Sequence, residues 1–295
     1  MDFLLSGQLL FAALVLGSVY AVIALGLNLV YGTMRLLNIA HGEIVMVGAY
    51  AAFWGFSLLG LSPLAALPVV GVLTGAIGLV LYRTLFRAQL AANKPVAQLE
   101  ASSLLLFFGV SIVMQNLASL AFTATPRAYQ HLDTVYQIGG VAMTGNRIAT
   151  LVVSVAILVA VLLFLNRSIY GLAVKALIQH RDAARVVGIN VDRVQTVSIL
   201  AGFGIAGIAG ALVSMAEQIS PFMGFPFTIA SFVVIIMGGL GNIVGGIMAG
   251  FLLAFIEIYA VALTSANFRS ILIYGIFVGI LVLRPQGLLG KARRS

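Results

Sequence analysis

The sequence predicts an all-α polytopic membrane protein with eight or nine transmembrane helices, the last third built from short or broken Gly-rich helices. Three observations predict it. Of 295 residues, 62% are hydrophobic and only 8% charged, and mean hydropathy is +1.14, whereas soluble domains carry about a quarter charged residues. Apolar runs of spanning length recur along the chain. A single long polar passage, Asn166 to Gln195, interrupts them. The whole chain, 1–295, reads as one transmembrane unit with an extramembrane loop at 166–195.

Composition also excludes several classes. The net charge of +8 would suggest nucleic acid in a soluble protein, but in a membrane protein it is read loop by loop, and no nucleic-acid motif is present. With no cysteine, disulfides, thiolate metal sites and a cysteine nucleophile are ruled out. The N-terminus, MDFLLSGQ, lacks the basic start of a cleaved signal peptide, so the first apolar run is expected to stay as a span.

Span one is predicted over Gln8 to Gly32, and span two follows Arg35 with polar Asn38, His41 and Glu43 near one end. Pro63 to Phe86 and Glu100 to Thr123 make spans three and four, joined by a connector with Arg83, Arg87, Lys94 and Pro95. Ala124 to Arg147, with Pro126, Asp133 and Gly139-Gly140, reads as a loop with turns or a short hairpin. Ile148 to Leu165 is span five. Thr196 to Glu217 is span six, with Gly202, Gly204, Gly207 and Gly210 permitting close helix approach. Ser220 to Pro226 is a break. Phe227 to Leu263, interrupted by Gly238, Gly239, Gly241 and Asn242, reads as two pieces, either short spans or a re-entrant pair. Ser270 to Leu283 is the last span, before a basic tail with Lys291, Arg293 and Arg294.

Orientation follows from Lys and Arg placement. Of the 16, only Arg127, Arg147 and Arg269 fall on one side. The other side is therefore expected to be cytoplasmic, with the N-terminus outside and, for nine spans, the C-terminus inside. A short echo, Asn38-Ile39-x-x-Gly42 against Asn242-Ile243-x-x-Gly246, begins at the inner surface in this topology.

Within the polar passage, Leu172 to Val187 is predicted as a short helix bracketed by Gly171 and Gly188. Lys175, Gln179, Asp182 and Arg185 fall on one face, and Ala173, Leu177, Ala184 and Val187 on the other. A two-sided helix between spans can lie on lipid or enter a groove on a soluble partner.

No GxxxxGK[ST] loop is present, so an ATP-driven motor would be a separate subunit. His41, His131 and His180 have no metal spacing, and no Ser sits in a GxSxG context. What stands out is polar residues at membrane depth: Asn28, His41, Glu43, Ser111, Gln115, Asn116, Glu217 and Glu257. Ionisable groups there cost a few kcal/mol unless they face protein or water. For Asn28, Gln115 and Asn116, hydrogen bonding between helices and lining a path are both open. For His41 and Glu43 the alternatives are a proton relay and structural pairing.

Five strings, in order, carry a resemblance: LNIAHGEIVMVGAYAA from Leu37, GVSIVMQN from Gly109, GLAVKALIQHRDAARVVGINVDRV from Gly171, MGGLGNIVGGIMAGFLLAFIE from Met237 and LRPQGLLG from Leu283. Together they make the chain resemble the branched-chain amino-acid ABC importer permeases of the LivH type, over nearly its whole length. The resemblance implies an inner-membrane, non-enzymatic transport subunit. Its implied partners are a LivM-type second permease, two cytoplasmic ATPase subunits that bind ATP and Mg, and a periplasmic substrate-binding protein. No cofactor is implied on this chain. The implied coupling helix comprises Ala173, Lys175, Ala176, Leu177, Gln179, Arg181, Asp182, Ala184, Arg185 and Gly188. Asn28, Asn38, His41, Glu43, Gln115, Asn116, Glu217, Asn242 and Glu257 are the candidate translocation path. After the loop glycine stands Gly188-Ile189-Asn190, where importers in general carry proline, and Phe108 stands where a small polar residue is expected. Alternatives are a permease of the same family for urea, short amides or other amino acids, and a proton-coupled secondary transporter using His41, Glu43 or Glu257.

Overall fold

The computed structural model describes residues 6–92 and 95–264, with single positions 271, 275, 276, 278, 279, 282 and 287. In chain order the helices are α1 (Gly7–Met34), α2 (His41–Leu59), α3 (Pro63–Leu81), a π-helical turn (Tyr82–Phe86), α4 (Arg87–Ala91), α5 (Val96–Phe122), α6 (Gly145–Arg167), α7 (Ile169–Gln179), α8 (Arg181–Val186), α9 (Val191–Val213), α10 (Gly224–Gly238) and α11 (Ile243–Leu263). Strands β1 (Val135–Ile138) and β2 (Val141–Thr144) pair antiparallel around Gly139-Gly140, the short hairpin expected in that loop.

Seven helical segments among the described residues are long and apolar enough to cross a membrane, with α3, the π turn and α4 forming one of them. Helix α9 ends at Val213, short of the expected Glu217, and α10 begins at Gly224, within the expected break and ahead of Pro226. The expected pieces of the Gly-rich run are α10, only 15 residues long, and α11, parted at 239–242. The expected last span and basic tail lie largely outside the described residues.

Helix α9 is the axis of the bundle. Its most apolar stretch is 72% buried, against 17% for α5. It packs on α1, α2 and α3, while α1 also packs on α11, α10 and α6. The glycines of α9 make this possible: a Cβ on Gly202 would lie 2.6 Å from Gly26 O, and one on Gly210 would overlap Val45 O. Backbone touches backbone there, as in membrane helices joined by packing rather than by hydrophobic expulsion.

Contacts between loops establish two ends. At one, Arg35 Nη2 donates to Ile178 O (3.4 Å), Tyr82 OH donates to Asp192 Oδ1 (2.8 Å), and Arg87 Nε is 3.5 Å from that same oxygen. At the other, Arg127 bridges Ile219 and Asn146 Nδ2 donates to Met215 O (3.0 Å). The sparse basic residues Arg127 and Arg147 thus share an end, opposite Arg35, Arg87 and the 166–195 loop.

Candidate functional site

The α2 start is displaced from its expected position. His41 Nε2 lies 3.1 Å from Ile23 O, and a Cβ on Gly26 would lie 3.2 Å from His41 Nε2. Those α1 residues sit two to three turns before Met34, about 12–16 Å at 1.5 Å per residue. The chain after Arg35 therefore turns back into the bundle as non-helical backbone, and Asn38, expected to begin at the inner surface, is an interior group like His41 and Glu43, which were read as lying at membrane depth. All three are fully buried.

Irregular backbone at such depth requires protein partners for its N–H and C=O groups. Here they are side-chain hydroxyls. Leu37 N donates to Ser103 Oγ (3.0 Å), while Thr228 Oγ1 donates to Ile39 O (3.0 Å) and accepts from Gly42 N (3.0 Å). The N-termini of α2 and α10 meet there, since a Cβ on Gly224 would lie 2.5 Å from Gly42 O and 2.7 Å from Glu43 Oε2. Both helix dipoles present their positive ends toward that carboxylate.

Glu43 Oε1 accepts from Ser111 Oγ (2.8 Å) and Gln115 Nε2 (2.7 Å), binding α2 to the otherwise peripheral α5. His41 faces the other way, edge-on to Phe203 with ring centroids 5.9 Å apart. The two share no hydrogen bond, so they do not form the expected structural pair. Because Ile23 O can only accept, His41 Nε2 carries the proton. Its Nδ1, Glu43 Oε2 and both amide atoms of Asn38 are buried without a hydrogen bond.

Asn28 clasps the turn between α10 and α11: its Nδ2 donates to Asn242 O (2.9 Å) and its Oδ1 accepts from Gly241 N (3.0 Å). Asn242 Oδ1 accepts from Gly245 N (3.0 Å) and caps α11. Asn38 has no such cap bond, and α2 starts at His41, so the short echo does not extend to geometry. Asn116 is exposed on α5 and donates to Ile112 O (2.8 Å). Glu257 is buried and accepts from Tyr20 OH (2.9 Å). Glu217, just past α9, and Glu257 line a cavity of about 250 Å³ with Arg147 and Thr150.

The 166–195 loop forms two helices, not one. The break is at His180, extended at φ −155° and ψ 107°, whose Nδ1 accepts from Ala183 N (3.2 Å) and caps α8. Ser168 Oγ accepts from Gly171 N (2.9 Å) and caps α7, so Gly171 lies inside α7, pressed on Leu165. Gly188, at φ +84°, follows the end of α8 as expected.

The buried face of α7 and α8 consists of Gly171, Val174, Leu177 and Ala184. Val187, expected to be inward, is 74% exposed, because α8 ends at Val186 and Val187 stands in the turn before Gly188. Ala173 and Ala176 are half-buried, as is Lys175, whose Nζ donates to Asn166 Oδ1; Gln179, Asp182 and Arg185 are exposed. Arg181 is half-buried, and burial together with nearby Arg185 lowers its pKa from the ordinary guanidinium value. Ile169, Tyr170, Leu172 and Val186 stand exposed beside these charges.

Several participating residues are absent from the sequence-based candidates. Thr228, Ser103 and Tyr20 read as ordinary residues of apolar runs. Tyr82 sits in the π turn, a feature often found at functional places in helices. Arg147 reads as a loop charge.

The family described as "Branched-chain amino acid transport system / permease component" matches residues 9–281. The chain is 28% identical to the high-affinity branched-chain amino acid transport permease BraD of Pseudomonas aeruginosa, over 96% of this chain and 95% of that one. It is 28% identical to LivH of Escherichia coli, over 98% and 97% of the two chains. It is also 28% identical to LivM of the same organism, over 93% of this chain but 68% of the relative. No solved structure matches. The interior polar groups, the glycine-packed bundle and the 166–195 loop are thus those of a transport protein, and the chain belongs to the family of branched-chain amino acid transport system permease components.

Proposed function

We propose that this protein is an inner-membrane permease subunit of an ABC importer for branched-chain amino acids. The observation that carries the reading is the family match across residues 9–281, and the similarity to both LivH and LivM suggests a paired assembly. In this reading a LivM-type permease completes the path, a periplasmic binding protein delivers substrate, and two cytoplasmic ATPase subunits hold ATP and Mg. Hydrolysis takes place on those subunits, and this chain does no catalysis. The whole chain, 1–295, acts as one permease domain, with α10 a partial crossing. The end bearing Arg35, Arg87 and the 166–195 loop faces the cytoplasm, as does the C-terminus, and the N-terminus faces outside.

Coupling runs through α7 and α8. Gln179, Asp182 and Arg185, with exposed Val186 and Val187, meet the ATPase, while Val174, Leu177 and Ala184 anchor the element to the bundle. Its movement reaches α9 through Asp192, which Tyr82 OH holds to the end of α3. Alternating access then tilts helices across their glycine contacts. Asn38, His41, Glu43, Gln115, Asn116, Glu217 and Glu257 are the groups of this chain nearest the path, and Asn28 and Asn242 serve the turn between α10 and α11.

The test is purification from the native membrane in mild detergent, with and without cross-linking in intact cells. Recovery of a second permease and two ATPase subunits is expected, and so is loss of the ATPases from an Arg185→Glu variant. Recovery of the chain alone from cross-linked cells would remove the docking role of α7 and α8.

A further inference from the structure

Ile178 sits where three segments of the chain converge. It is the next to last residue of α7, half-buried, and packs on the main core. A Cβ on Gly32 of α1 would lie 3.0 Å from its Cγ1 and Cδ1, and a Cβ on Gly241, in the turn between α10 and α11, would lie 3.3 Å from its Cγ2. The same added atom on Gly32 would be 3.8 Å from Gly241 Cα, so the two glycines are neighbours and the isoleucine fills the seam between them. Its carbonyl accepts from Arg35 Nη2 at 3.4 Å, just past the end of α1.

Each feature restricts what can move. Isoleucine is β-branched and stiff at χ1, so its methyl groups follow the α7 backbone closely. Because both facing residues are glycine, those methyls press on backbone rather than on the ends of flexible side chains. Gly241 is at φ +84°, a left-handed conformation that disfavours any residue with a side chain there. The turn is also the tip of a closed pair of helices: a Cβ on Gly238 would lie 2.4 Å from Gly245 C, backbone on backbone. Helix α10 has 15 residues and is about 22 Å long. It ends at that tip and begins beside Gly42, where a Cβ on Gly224 would lie 2.7 Å from Glu43 Oε2.

We infer that Ile178 is a positioning residue that links α7 to the turn between α10 and α11, so that movement of the 166–195 loop reaches the interior groups at the start of α2 by way of α10. The inference rests on the importer reading and deepens it. Beside the contact of Asp192 with Tyr82 it adds a second route, made of a side chain packed on backbone, and it gives the short helix α10 the role of a lever. Asn28 holds the same turn to α1 by both amide atoms, so the end of α1 and the turn shift as one. A packed contact of this kind transmits a shift rather than absorbing it, because protein interiors are close-packed.

The test uses the assembled complex of both permeases and the ATPase subunits in nanodiscs, with the partner subunits made cysteine-free. This chain has no cysteine of its own, so Leu240→Cys in the turn and Leu200→Cys in α9, both at exposed positions, carry nitroxide labels at those two places alone. Pulsed dipolar spectroscopy measures the distance between the labels with and without trapping by ATP and vanadate. Trapping is expected to shift that distance. Ile178→Ala should abolish the shift while the ATPase subunits stay bound on gel filtration and still hydrolyse ATP. In unlabelled complexes reconstituted in liposomes with the binding protein, leucine import per ATP should fall at least about fivefold in Ile178→Ala. Most of that loss should be recovered in Gly32→Ala/Ile178→Ala, whose added methyl lies 3.8 Å from Gly241 Cα. A residue that only stabilised the fold would lower yield and Tm without this selective loss and rescue. Ile178→Val, which removes Cδ1 alone, keeps the test valid if Ile178→Ala disrupts assembly, and should show a reduced shift. A shift that persists unchanged in both variants, or a complex that imports leucine with no shift at all, overturns the link and leaves the importer reading standing. An intact wild-type complex with no ATP-driven import overturns both.

Discussion

Replacing Asn28 separates a residue that lines a path from one that holds the bundle together. Its two amide atoms are both engaged with backbone of the α10–α11 turn, at 2.9 Å to Asn242 O and 3.0 Å from Gly241 N. Asn28→Leu keeps the volume and removes both bonds, leaving one N–H and one C=O without their partner in a membrane-embedded turn. Each such loss costs about 1–3 kcal/mol, and because Gly241 and Asn242 are half-buried the lower part of that range applies, for a total of about 2–4 kcal/mol. For a chain of this length 1 kcal/mol corresponds to about 1.6 °C, so the apparent Tm in detergent should fall by about 3–6 °C. The assay is residual monodisperse protein on gel filtration after heating, run alongside uptake. An unchanged Tm with reduced uptake would refute the clasp and return Asn28 to the path.

The remaining predictions follow from packing and from the contacts at the end that carries the 166–195 loop. Gly210→Ala places a methyl into Val45 O and should cost about 1–3 kcal/mol or more, seen as lost membrane-inserted protein; Gly109→Ala, with nothing within 4 Å, should be neutral or stabilising by up to about 1 kcal/mol. Tyr82→Phe removes the hydroxyl that lies 2.8 Å from Asp192 and 3.2 Å from Gln195; ATPase activity should persist while uptake per ATP falls. Arg87→Ala breaks a pair whose side chains are 58% and 55% exposed, and stability should change by less than about 1 kcal/mol. Thr228→Val deprives Ile39 O and Gly42 N of their shared partner and should lower Tm more than Thr84→Val, whose hydroxyl is on an exposed helix face.

The spans were legible because twenty apolar residues between charged loops have few other places to go, and the glycines at 202 and 210 announced a close helix contact. The hairpin followed from Gly139-Gly140, which sits at φ +58° and +81°. The start of span two at Asn38 was placed at the inner surface because a polar residue there looks the same at a surface as inside a bundle. Its interior position depends on Ser103 and Thr228, remote in sequence, which supply partners for backbone that a helix would otherwise satisfy. The helix of the polar passage was read as continuous because no Gly or Pro interrupts Leu172 to Val187. His180 breaks it through a local side-chain cap, a competition between side chain and ladder that helical periodicity does not register.

By itself, the sequence determined the class of the protein, the spans among the described residues to within about five positions, the asymmetry of its basic loops and the family to which it belongs. Those properties are set by composition and local pattern, where hydropathy and hydrogen-bond closure leave few alternatives. Only the tertiary structure decided which polar groups meet. Glu43 reaches Ser111 and Gln115, Asn28 reaches Gly241 and Asn242, and Arg147 shares a cavity with Glu217 and Glu257. Each of these meetings joins residues more than sixty positions apart, through contacts set by which helix faces the glycines allow to touch.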